Sequence, residues 1–273
     1  MLRALNSNGD SCIFAITFAV CLLTSIASAQ STGPIVTDRP TQSVATFTLA
    51  TKVFEIEGGY KFSRTDDGDP NGSVTDLHEM PDALFRFGLW RGIEARVTVS
   101  GWDFEGVSGD ESEQLRTNGF NDVSVGGKFA VVDAEGWRPA VSILADVSLP
   151  VGSEGFTNDY VNPKVLALLS NRLWQGWTLT VNFGPSIVRG NDETSVDLEY
   201  TAALGGEITS RWGFFAEFFG AFGVGTKRLD QHSFQTGVTA LLSNDFQLDA
   251  RVGVGFVDNV PAWFTGFGFG WRL

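Results

Sequence analysis

Trp263-Phe264-Thr265-Gly266-Phe267-Gly268-Phe269-Gly270-Trp271-Arg272-Leu273 alternates strictly. On a β-strand successive side chains point to opposite faces. Trp263, Thr265, Phe267, Phe269, Trp271 and Leu273 then form one large, apolar stripe. Phe264, Gly266, Gly268, Gly270 and Arg272 form the other face, which is mostly small. A strand this apolar on one face and this open on the other separates two different surroundings.

The same period of two recurs upstream and predicts eleven further strands. They run over 53–62, 81–90, 93–104, 121–132, 137–149, 163–172, 176–188, 196–208, 213–222, 233–242 and 246–257. In the first, Phe54, Ile56, Tyr60 and Phe62 oppose Glu55, Glu57 and Lys61. In the eleventh, Phe246, Leu248, Ala250, Val252 and Val254 oppose Gln247, Asp249 and Arg251. The sixth is the least clear, because both of its faces are apolar apart from Lys164 and Ser170.

The links between strands alternate in length. Residues 63–80, 105–120, 150–162, 189–195, 223–232 and 258–262 make longer or polar loops. Arg91-Gly92, 133–136, 171–175, 209–212 and 243–245 make tight turns. This is the pattern of an all-β, transmembrane antiparallel up-and-down β-barrel of 12 strands, with long extracellular loops and short periplasmic turns. An even number closes antiparallel and leaves no free edge. A soluble sandwich or lipocalin also alternates, but twelve strands enclose more space than side chains fill. Aromatics near strand ends on the apolar face (Tyr60, Phe62, Trp90, Trp137, Trp177, Phe214, Phe246, Phe256, Trp263 and Trp271) suit the two membrane interfaces.

Upstream, Arg3, the apolar run Ile13–Ile26 and Ala27-Ser28-Ala29 form a secretory signal, with cleavage expected after Ala29. The run is shorter than the ~20 residues a spanning helix needs. Both cysteines, Cys12 and Cys21, lie within residues 1–29, so neither disulfide nor thiol chemistry is expected of the mature chain. Residues 30–52 are polar and read as an N-terminal arm, periplasmic or plugging the lumen. Residues 53–273 are the barrel. The expected location is the outer membrane, among its lipid and lipopolysaccharide, reached through the outer-membrane assembly machinery. The net charge of −13 disfavours nucleic acid as a partner.

Four short stretches carry a family resemblance. Thr37-Asp38-Arg39-Pro40, Phe54-Glu55-Ile56-Glu57-Gly58-Gly59-Tyr60, Asp122-Val123-Ser124-Val125-Gly126-Gly127-Lys128 and Ser148-Leu149-Pro150-Val151-Gly152-Ser153 resemble, in order and spacing, the outer-membrane transporter family labelled "MetA-pathway of phenol degradation". The resemblance runs from about Thr37 to Leu273. It implies a barrel that passes small compounds, aromatic or hydrophobic ones among them. Such barrels usually end in Phe or Trp, and this chain ends in Leu273.

The faces expected to line the lumen carry Glu55, Glu57, Lys61, Asp82, Arg86, Glu94, Arg96, Asp122, Lys128, Arg138, Asp146, Lys164, Asp197, Glu199, Glu207, Glu217, Asp249, Arg251 and Arg272. A water-filled passage tuned by charge explains them; so does a network of ion pairs that only stiffens the wall. The acids outnumber the bases, which points to a mild preference for cations if the barrel conducts. The expected function is therefore passive passage of a small-molecule solute, without a cofactor or a catalytic residue. A closed structural or adhesive barrel is the alternative, and a lipid-modifying barrel enzyme the third. For the third, His232 and Ser233 are adjacent and so point to opposite faces, which opposes a catalytic pair. His78 reads as a solvated loop residue. Asp67, Asp69 and Asn71 match the start of a calcium loop, but its twelfth position is His78 rather than Glu; a polar external loop accounts for them equally.

Overall fold

The computed structural model describes residues 33–66, 73–109, 112–174, 176–189, 194–224, 229–258 and 260–273. The cleavage site at Ala29 and the loop with Asp67, Asp69 and Asn71 lie outside them. The described residues contain fifteen strands and no helix. They are β1 (Phe54–Asp66), β2 (Val74–Met80), β3 (Ala83–Trp90), β4 (Ile93–Val99), β5 (Trp102–Gly109), β6 (Ser112–Phe120), β7 (Val123–Val132) and β8 (Ala140–Leu149), then β9 (Asn162–Trp174), β10 (Trp177–Arg189), β11 (Thr194–Glu207), β12 (Trp212–Val224), β13 (Gln231–Ser243), β14 (Phe246–Gly255) and β15 (Trp263–Arg272).

Every pairing is antiparallel, and β15 pairs with β1, so the sheet closes on itself. Three staves of the wall are each made of two strands in line: β2 with β3, β4 with β5, and β6 with β7. The fifteen strands thus make the twelve staves of a transmembrane up-and-down barrel. The closing seam runs in register from Glu55 against Arg272 to Arg64 against Trp263.

Two expected loops are corrected. Residues 63–80 and 105–120 are largely strand: β1 continues to Asp66, and β2, β5 and β6 extend the sheet past breaks at 81–82, 100–101 and 121–122. In these extensions polar residues such as Asp76, His78, Glu79 and Glu105 fall on both faces, so no hydropathy alternation marked them. The turn after β7 is also longer than expected, because β8 starts at Ala140 and not at Trp137. At the tightest turn Gly92 has φ +77°, a backbone that a side chain rarely adopts.

The apolar stripes face outward. Phe87, Ile93, Val97, Val125, Phe129, Ile143, Val165, Phe183, Phe218, Leu248, Val252, Val254 and Phe267 are all exposed on the barrel wall. In water that surface is untenable; against hydrocarbon it is what a spanning barrel requires. Six of the eight tryptophans (Trp90, Trp137, Trp174, Trp177, Trp212 and Trp271) sit at the short-turn end and mark one interface. Trp102 and Trp263 lie toward the other end.

Candidate functional site: the arm and the lumen

A segment that touches staves all around a closed barrel must run through its interior. The arm does so. Asp38 meets Arg96 at 2.6 Å on β4, and its neighbour Arg39 accepts no place on the wall but bridges Asp82 at 2.8 Å and Asp249 of β14. The Pro40 carbonyl accepts from Arg251 Nη1 at 2.8 Å. Gln42 and Ser43 donate their amides to Glu217 of β12, and Val44 donates to Asn182 of β10. The Ala45 carbonyl accepts from Lys128 of β7, the Thr46 carbonyl from Ser142 of β8, and the Leu49 amide donates to Glu94.

The arm lacks sheet partners along most of its length, so wall side chains satisfy its buried backbone groups. The strand faces fit this task. Arg86, Lys128, Glu55, Glu57, Glu94, Glu217 and Gln235 are all essentially inaccessible to solvent. Arg86 pairs with Glu55 at 2.6 Å, Glu57 at 3.1 Å and Glu94 at 2.9 Å. Asp38 enters that cluster beside Arg86, Arg96 and Lys128. Burial pushes its carboxyl up, but the three cations outweigh burial and hold it well below the ordinary range. Glu217 has no basic partner in this set; it accepts from Gln42 N, Ser43 N, Ser43 Oγ and Gln235 Nε2.

The glycines of the closing seam have a specific occupant. A methyl group on Gly59 or Gly268 would overlap the Arg39 guanidinium, and one on Gly270 would overlap Thr37. The sixth stave is apolar on both faces for a related reason: inward Leu166 and Leu168 pack with Leu144 against Val44 of the arm.

These contacts join the four sequence motifs. Asp38 N and Arg39 N donate to Glu57 at 3.0 and 2.7 Å, linking the first motif to the second. Lys128 of the third stands 3.6 Å from Asp38. Asp122, which opens the third motif, accepts from Gly152 N of the fourth at 3.0 Å and from Asn158 N at 2.9 Å.

The arm divides the lumen into two chambers. The one on the loop side has a volume of about 390 Å³ and is bordered by Asp82, Asp146, Lys164, Asp197, Glu199 and Phe219 among others. The one on the turn side, about 490 Å³, is bordered mainly by small or hydroxylated residues, including Thr178, Thr180, Ala203, Gly205 and Thr239. Arg39 and Thr41 border both.

The remaining expected lumen charges fall as follows. Lys61 pairs with Glu79 near the loop end, and Lys164 stands 3.4 Å from Glu199. Glu207 ends β11 and borders the turn-side chamber. Arg272 reaches Asp245 at 2.5 Å and the Gly33 carbonyl at the turn-side rim. Arg138 is a correction: it lies in the turn before β8, exposed, and pairs with Glu135 at 2.9 Å. The alternation through Trp137-Arg138 is a hairpin turn, not a strand. Arg39, Asn182 and Gln235 were missed, the first because the arm shows no strand pattern, the others because they carry no charge.

Both histidines lie on the outward face. His78 Nδ1 is 2.6 Å from the Tyr60 hydroxyl, and His232 Nδ1 is 3.0 Å from that of Tyr200. Ser233 is buried on the opposite face from His232. Among the described residues no group of three or more His, Cys, Asp or Glu side chains is placed to hold a metal ion.

A closed wall, an apolar exterior and a charged interior threaded by the chain's own N-terminal arm define a membrane-spanning β-barrel of the channel or porin type. The chain belongs to the family described as "Putative MetA-pathway of phenol degradation", whose model matches residues 37–273. Among solved structures it is similar to an outer membrane channel from Pseudomonas putida F1, with a TM-score of 0.64 and 14% identity over 87% of this chain and 100% of that one. It also matches the translocator domain of the autotransporter NalP from Neisseria meningitidis, with a TM-score of 0.49 and 10% identity over 97% and 98% of the two chains. A search of curated proteins finds no match. The first likeness establishes the fold; the functional argument rests on the lumen itself.

Proposed function

We propose that this protein is a passive outer-membrane channel for small molecules, with the N-terminal arm setting how far the lumen is open. The observation that carries the proposal is the pair of chambers on either side of the arm, with Arg39 and Thr41 bordering both. The strands need not move for the chambers to join; the arm must shift at Arg39 and Thr41. A solute then crosses down its gradient, and neither cofactor nor covalent chemistry is needed. We also propose that residues 1–29 are a cleaved signal and that lipid and lipopolysaccharide surround the barrel. The family's name suggests aromatic or other hydrophobic compounds as solutes.

The buried ion-pair network favours a second reading, a barrel stiffened shut by its arm. One engineered bond separates the two. Ser43 Oγ lies 2.6 Å from Thr201 Oγ1, so S43C with T201C should form a disulfide in a mature chain otherwise free of cysteine. In a planar bilayer the oxidised protein is expected to show a low, steady conductance, and reduction to restore openings to a higher level. No change on reduction, with the disulfide verified, would favour the closed barrel.

A further inference from the structure

The loop-side chamber has chemistry of its own that neither the family's name nor the arm explains. Six carboxylates border it (Asp38, Glu57, Asp82, Asp146, Asp197 and Glu199) against four bases (Arg39, Arg96, Lys164 and Arg251). The arginines are committed to acids or to the arm: Arg39 to Asp82 and Asp249, Arg96 to Asp38 and Glu94, Arg251 to the Pro40 carbonyl. Asp146, Asp197 and Glu199 stand on β8 and β11, beside Lys164 of β9. A border with more carboxylates than bases attracts cations.

The second observation is an inward aromatic ring. Phe219 borders this chamber, on β12 directly opposite Thr201 and two residues along from Ala221, which faces Glu199. Its ring packs edge-on against Phe264, with centroids 6.1 Å apart. Leu144 and Leu166 continue the apolar wall. An aromatic face beside carboxylates is how a protein recognises an organic ammonium group, through the ring quadrupole as well as through charge. The volume of about 390 Å³ lies within the range of small-molecule sites.

We infer that the loop-side chamber binds small organic cations, an ammonium group on an apolar or aromatic body, ahead of anions of the same shape. The inference builds on the channel reading by naming the class of solute, although binding itself does not require conduction. Apolar bulk would lie on Phe219, Leu144 and Leu166, and the ammonium group among Asp146, Asp197 and Glu199.

Calorimetric titration of the purified barrel with phenethylammonium and with phenylacetate tests this, because the two differ mainly in the sign of the charge. Phenethylammonium is expected to bind at least tenfold more tightly. The triple change Asp146→Asn, Asp197→Asn and Glu199→Gln should erase the difference. Phe219→Leu, a milder change that keeps the wall apolar, should weaken phenethylammonium several-fold and leave phenylacetate unchanged. Equal binding of the two ions, or a preference for phenylacetate, would overturn the inference. So would unchanged affinity in Phe219→Leu. Bilayer recordings on the same samples keep the two proposals apart: binding in a silent barrel supports this site and refutes the channel, and conduction without binding does the reverse.

Discussion

Asp38 shows how much one side chain can decide. It is the arm's anion among three cations that the wall has buried. Removing one partner from such a cluster costs roughly 3–5 kcal/mol, mostly because the others are left uncompensated. Asp38→Asn is therefore expected to loosen the arm, seen as increased mobility of a nitroxide placed at Gln42, with the barrel still folded. Gly270 gives the complementary test. Gly270→Val would drive a side chain into the space of Thr37 and Ile35 of the arm, with no wall backbone in its way, and should free the arm as Asp38→Asn does while the closing seam still forms.

At the scale of the elements, the strands inside the membrane were legible in the sequence because lipid and lumen impose opposite demands on alternate residues. Val252 and Arg251 on β14 illustrate it: one exposed on the wall, the other buried against the arm. Val252→Lys should destabilise the folded barrel by about 2–4 kcal/mol if it lies at mid-bilayer, measured by the denaturant midpoint in lipid vesicles. Beyond the membrane both faces of a strand are wet and the alternation fades, so β2, β6 and the part of β5 after Phe104 read as loop. The link over 150–161 was legible as a loop, but its tether was not. Asp122 was placed among the lumen charges, and nothing in its sequence neighbourhood shows that it accepts from Gly152 and Asn158. Asp122→Asn should speed amide exchange at both residues and leave the staves unaffected.

For the whole molecule, the interior could be only partly read from sequence. Inward charges such as Glu57, Glu94 and Lys128 were identifiable from alternation, and a charged lumen followed. What those charges hold was not, because an extended polar segment such as 33–52 has no period of its own; its conformation comes from the wall. The glycines at 268 and 270 read as open space; with Gly59 they are instead the space the arm fills. The most direct test of the account compares single-channel conductance of the wild-type barrel with that of a variant lacking residues 33–47, both folded as judged by heat-modifiable gel mobility. The account predicts small or intermittent currents in the wild type and a several-fold larger, steady conductance without the arm. Equal conductance in the two, or two silent barrels, would contradict it.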